Sequence, residues 1–117
     1  MKDDRPYLAD ILQALERVEA IGRRGRADFL TDWLLQDAAI RNFEIVGEAV
    51  KRVSDELKAA HPEIPWADLA GFRDVLIHQY FRVDLEIVWA LIEQRVAGLR
   101  SDLARLSAAL GSALNPR

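Results

Sequence analysis

At 117 residues the chain has room for one domain built on a single core, expected to span residues 1–117. Half of the residues are hydrophobic and 30% are charged, a balance that excludes a disordered tail or a fibrous repeat. The net charge of −3 excludes broad attraction to nucleic acid, so RNA chemistry would need a local basic cleft; the lack of cysteine excludes disulfides and thiolate zinc sites, and two distant histidines leave little for an imidazole metal centre.

The N-terminus, MKDDRPYLAD, is acidic and polar, and no apolar run approaches the length of a bilayer; both predict a cytoplasmic protein with no membrane segment. Leu8, Ile11, Leu12, Leu15, Val18 and Ile21 recur every three or four residues and predict an amphipathic helix from about Asp4 to Ile21, ended by Gly22 and Gly25. Arg23, Arg24 and Arg26 then read as a basic loop whose cations are solvated beside a helix C-terminus. Thr31 or Asp32 caps a second helix, periodic through Leu35, Ala39, Phe43, Val46, Val50, Val53 and Leu57 to about Ala60, where His61-Pro62 stops it. On that helix Asp37, Arg41, Glu44 and Glu48 share a polar stripe. The stripe is either an exposed face laced with ion pairs or the wall of a site, with Arg41 free for a phosphate and Glu44 or Glu48 positioning nearby cations.

Pro65 suits the first turn of a short third helix, from Trp66 to His78 or Tyr80, with Leu69, Phe72 and Leu76, and with them Val75, toward the core. Asp84 caps the last helix, apolar from Leu85 through Val88, Leu91, Ile92, Val96, Leu99, Leu103 and Leu106 to Leu110. Short loops and the absence of strand-like alternation predict an all-α antiparallel up-and-down bundle with one short motif-bearing helix. Trp33, Trp66 and Trp89 read as core or interface residues.

The chemistry concentrates in Arg73-Asp74-Val75-Leu76-Ile77-His78-Gln79-Tyr80. Arginine stays charged and can fork onto a phosphate, while histidine changes protonation near neutrality. Asp74 and His78 are one helical turn apart on one face, so the carboxylate could orient or charge the imidazole. Arg73 and His78 diverge by roughly 140° on the same wheel. They meet on one phosphate only through the reach of Arg73, a break in the helix, or a second chain. His78 and Tyr80 share a face only if the segment turns extended, which places the end of the helix here.

The stretches QDAAIRNFEIVGEAVK from Gln36 to Lys51, HPEIPW from His61 to Trp66 and GFRDVLIHQYFRVDLEIVW from Gly71 to Trp89 resemble the HepT family of the HEPN superfamily, from about Tyr7 to Leu106. The likeness includes the Arg-x4-His-x-Tyr signature as Arg73, His78 and Tyr80. It implies an all-helical homodimeric ribonuclease toxin of a type VII toxin–antitoxin system, acting without metal or other cofactor. It also implies a partner, an MntA-like nucleotidyltransferase antitoxin that neutralises the toxin by adenylylating Tyr80. The family usually has a polar residue after the motif arginine, a place held here by Asp74. The chain departs from the pattern at Arg82, where many members have a small residue.

A ribonuclease needs a proton acceptor, a proton donor and a cation for the phosphate. His78 is the expected acid or base, Arg73 the phosphate clamp, and Asp74, Arg41 and Glu44 the supporting groups. One histidine cannot hold both proton roles, which a dimer joining two motif copies would solve. The alternative is a non-catalytic module that binds a nucleotide or RNA and presents Tyr80 to a nucleotidyltransferase.

Overall fold

In the computed structural model, which describes residues 3–79 and 82–114, the first apolar stripe becomes α1 (Arg5–Gly22), with Pro6 in its first turn and Leu8, Ile11, Leu15, Val18 and Ile21 buried. Six more helices follow among the described residues: α2 (Arg26–Thr31), α3 (Trp33–Arg52), α4 (Asp55–Ala60), α5 (Trp66–His78), α6 (Leu85–Gln94) and α7 (Val96–Leu114). No strand occurs among the described residues, as the patterning predicts. The length of α1 packs against α3 and α7, α6 joins α1 and α2, and α5 rests almost wholly on α3. No helix among the described residues is long and apolar enough to cross a membrane.

Three stretches differ from the sequence reading, each for a local reason. The expected loop after Gly25 re-enters a helix. Gly25 takes φ +88°, which favours glycine, and the turn it makes lets Phe29 bury itself against Trp89, ring centroids 5.6 Å apart. Arg26 pairs with Glu86 at 2.6 Å and Arg24 with Asp28 at 3.5 Å, so two of the three loop arginines face carboxylates.

The long second helix breaks at Val53, which turns extended. Ser54 caps α4, its Oγ accepting from the Leu57 N–H at 3.2 Å, and Asp55 and Glu56 fill the acidic first turn. The pin behind this break is Asp4. Buried at the N-terminus of α1, it accepts from the Ser54 N–H at 2.8 Å and from the Ser54 hydroxyl at 2.6 Å. Removing it leaves two part-buried donors without a carboxylate. Asp4→Ala should therefore lower the unfolding free energy by about 2 kcal/mol in a urea titration; an unchanged midpoint would mean that water replaces the pin.

The last predicted helix bends at Arg95, φ −121°, dividing α6 from α7. The Arg95 N–H still reaches the Leu91 carbonyl at 2.9 Å, and the bend keeps Val88 and Ile92 on one side of it, and Val96 and Leu103 on the other, inside the core. Trp66 and Trp89 are buried, but Trp33 is 66% exposed and is no core residue. Val75 is 49% exposed as well: α5 turns Leu76 inward and leaves Val75 outside.

Candidate active site

The motif helix is set on α3 by a row of contacts. Phe43 meets Phe72 edge-on, centroids 5.4 Å apart. One turn further along α3 lies Gly47, where an added Cβ would stand 2.1 Å from the Arg73 Cβ and 3.0 Å from the Leu69 carbonyl oxygen. The missing side chain is what lets α5 come this close. Arg73 then runs along α3 with its guanidinium at Glu48, Nη2 to Oε2 3.2 Å, and its other terminal nitrogen at Asp74, Nη1 to Oδ1 3.2 Å. Asp74 Oδ1 also takes Lys51 Nζ at 2.6 Å, and Glu48 Oε1 lies 3.5 Å from Arg52 Nε. Charges thus alternate across the two helices as Lys51, Asp74, Arg73, Glu48, Arg52.

The Lys51 ammonium, and after it the Arg73 guanidinium, hold the Asp74 carboxyl below the usual carboxylate range. An acid depressed in this way supports the fold above its ordinary value near 3.8 and loses that support only as pH falls through the lower folded-state value. Its charge is therefore constant through neutrality.

Beside this network a cleft of about 390 Å³ opens between α1, α3 and α5. Arg41, Glu44, Glu48 and Arg52 form its α3 wall. Tyr7 and Asp10 close it from α1, Arg73 and Ile77 from α5. Three arginines thus face three carboxylates, so the cleft is mixed in charge where a basic one was expected.

Of the sequence-predicted residues, Arg73, Arg41, Glu44 and Glu48 converge here, while Asp37, on the same stripe, is exposed and does not line the cleft. Asp74 adjoins through Arg73 and Lys51; its hydrogen bonds go to them and not to His78. The imidazole expected to lean on Asp74 is instead exposed at the last residue of α5, outside the cleft lining. That helix runs unbroken through His78 and ends at Gln79, so no break brings Arg73 and His78 together within the chain. Arg82 is exposed, its N–H on the Gln79 carbonyl at 2.8 Å. Tyr80, the modification candidate, and Phe81 lie outside the described residues. His61 sits at the end of α4 with Nδ1 3.2 Å from Glu63, away from the cleft. No three metal-ligating side chains gather among the described residues.

Sequence reasoning missed Gly47, Lys51, Arg52, Tyr7 and Asp10. Arg52 was within its reach, because it continues the Arg41, Glu44, Glu48 stripe by one further turn. A glycine in mid-helix signals a close approach, but not of what. Tyr7 and Asp10 join the site only through the packing of α1 on α3.

The family model described as "Ribonuclease HepT-like" matches residues 11–106. The chain is 40% identical over 106 residues to the "Probable ribonuclease HepT" of Thermococcus cleftensis, covering 90% of this chain and 96% of that protein. It is also 40% identical over 110 residues to the "Putative RNase TTE0752" of Caldanaerobacter subterraneus, covering 91% and 96%. A longer protein of Methanocaldococcus jannaschii, "Gamma-glutamylcyclotransferase and putative RNase MJ0434", is 37% identical over 90% of this chain and 48% of its own length. No solved structure matches the chain significantly.

Proposed function

The chain belongs to the HepT-like ribonuclease family, and from that premise we propose that it is the toxin of a type VII toxin–antitoxin pair, an endoribonuclease that works through Arg73 and His78 without a metal. The observation that carries this reading is the seating of Arg73. A permanent cation stands in the wall of a cleft with its two terminal nitrogens on carboxylates. Glu48 and Asp74 hold the fork in place, and an entering phosphodiester can replace one of them charge for charge.

In the proposed reaction one imidazole takes the proton of the substrate's 2′-hydroxyl, and the 2′-oxygen attacks the adjacent phosphorus. The bond from phosphorus to the 5′-oxygen breaks, and that oxygen takes a proton from a second acid. The products are a 2′,3′-cyclic phosphate and a 5′-hydroxyl. Arg73 offsets the charge that builds on the five-coordinate phosphorus, while Asp74 steadies Arg73, with Arg41 and Glu44 supporting along the wall. One His78 cannot be base and acid together, and it faces away from the Arg73 of its own helix. A homodimer supplies the second imidazole, and Val75, exposed three residues before His78 and on the same face of α5, gives that face an apolar contact for a partner copy.

Control is assigned to Tyr80, on its place in the motif. An AMP on the phenol adds bulk and a negative phosphodiester, which would oppose an RNA phosphate by occlusion and like-charge repulsion. The purified chain should cleave RNA in the presence of EDTA. Incubation with ATP, magnesium and the nucleotidyltransferase encoded alongside should add mass in AMP units and silence cleavage, and Tyr80→Phe should resist both effects. Modification undiminished in Tyr80→Phe would remove the control. RNA bound but never cut would leave the non-catalytic binding module.

A further inference from the structure

Arg73 needs one anion, yet the cleft it borders is large enough for far more. About 390 Å³ lies within the range of small-ligand pockets, room for a single nucleotide, and a base can enter such a pocket only when it is unpaired and splayed from its strand. The lining is also wrong for a simple anion. Asp10, Glu44 and Glu48 are interleaved with Arg41, Arg52 and Arg73 above a floor of Ile45, Ala49 and Ile77. A bare phosphate would meet as many carboxylates as cations. A ribonucleotide fits each component: its phosphates suit the arginines, its ribose hydroxyls and exocyclic amines donate to carboxylates, and its base covers the apolar floor. Arg73 and Arg52 approach the two oxygens of one carboxylate, Glu48, at 3.2 and 3.5 Å, so two cations stand side by side on this wall.

We propose that this cleft is a ribonucleotide subsite, which seats one nucleotide of single-stranded RNA next to the phosphate held by Arg73. Arg52 takes the neighbouring phosphate, and Asp10 and Glu44 accept hydrogen bonds from ribose or base. The proposal rests on the ribonuclease reading for the identity of the strand, and it adds the substrate class: unpaired RNA, bound along α3. Contact with a 2′-hydroxyl is what tells RNA from DNA at such a site.

The test uses the full chain carrying His78→Ala, so that RNA stays intact, and follows a labelled single-stranded RNA tetranucleotide by fluorescence anisotropy across a salt series. Adding Arg52→Gln should flatten the slope of log affinity against log salt by about 0.7, the value of one lost phosphate contact on a single strand. Adding Asp10→Ala, which removes the acceptor, should narrow the preference for RNA over DNA of the same sequence. Arg105→Gln, on α7 and paired with Asp102 away from the cleft, should change neither. An Arg52→Gln slope equal to that of its parent overturns the subsite, as does AMP alone binding as tightly as the strand, which would make this a free-mononucleotide site. If the unmutated chain cuts RNA while Arg52→Gln binds unchanged, the subsite fails and the nuclease stands. If the slope falls as expected but no RNA is ever cut, the subsite stands and the nuclease fails.

Discussion

His78→Ala and Arg73→Ala should each lower RNA cleavage by a factor of about 10² to 10⁴, the usual cost of losing a proton-transfer group or a cation that stabilises a transition state. Neither loss should unfold the protein. His78 is exposed at the end of α5, and Arg73 gives up two ion pairs whose carboxylates are half-exposed and are hydrated once it is gone. Mixing separates a shared site from a private one. If two copies of His78 serve one phosphate, random pairing of wild type with an equal amount of His78→Ala should leave about a quarter of the activity of an all-wild-type sample of the same total, because only pairs with both imidazoles work. A half, falling linearly with the wild-type fraction, would mean that each chain cuts alone. Full activity in either single mutant would put the chemistry elsewhere.

Gly47→Ala should do more harm to activity than to stability. A methyl group 2.1 Å from the Arg73 Cβ cannot be accommodated by a rotamer change, since both atoms are fixed by their backbones. The two helices must separate. Overpacking of this kind costs about 1 to 3 kcal/mol, and the better helix propensity of alanine returns about 1. The net loss in a urea melt is then about 2 kcal/mol at most. The Arg73 guanidinium, however, would be displaced by about 1 Å from the phosphate it is proposed to clamp, a misplacement worth about 10² in rate. Gly98→Ala makes the control: nothing lies within 4 Å of its added Cβ, so the same substitution in α7 should stabilise the helix and leave cleavage alone. Undiminished activity in Gly47→Ala would show that the close crossing does not set the arginine.

The patterns that report burial directly were legible. The stripe from Leu8 to Ile21 became α1 within a residue at each end, and Asp32, Pro65 and Asp84 stand where the caps and first turn were expected. The breaks were not, because periodicity continues across them: Val53 and Leu57 keep the apolar phase of α3 and α4, as Ile92 and Val96 keep that of α6 and α7. Only the cap at Ser54-Asp55-Glu56 marks the first break, and its deciding partner, Asp4, lies 50 residues away. The site followed the same rule. Arg41, Glu44, Glu48 and Arg73 could be placed on helix faces from spacing alone. The partner of Asp74 could not, since Lys51 and His78 were both within its possible reach and only the crossing of α3 with α5 chose Lys51.

The motif helix rests almost wholly on α3, and of its thirteen residues only Trp66 and Leu76 are buried. Residues on its outward side touch little that the rest of the domain depends on. Most point changes there stay within about 0.5 kcal/mol of neutral, whereas those on α1 or α3 that open a cavity cost several times more. An evolving lineage can thus vary the surface around His78 while the scaffold that holds Arg73 stays under strict packing constraint.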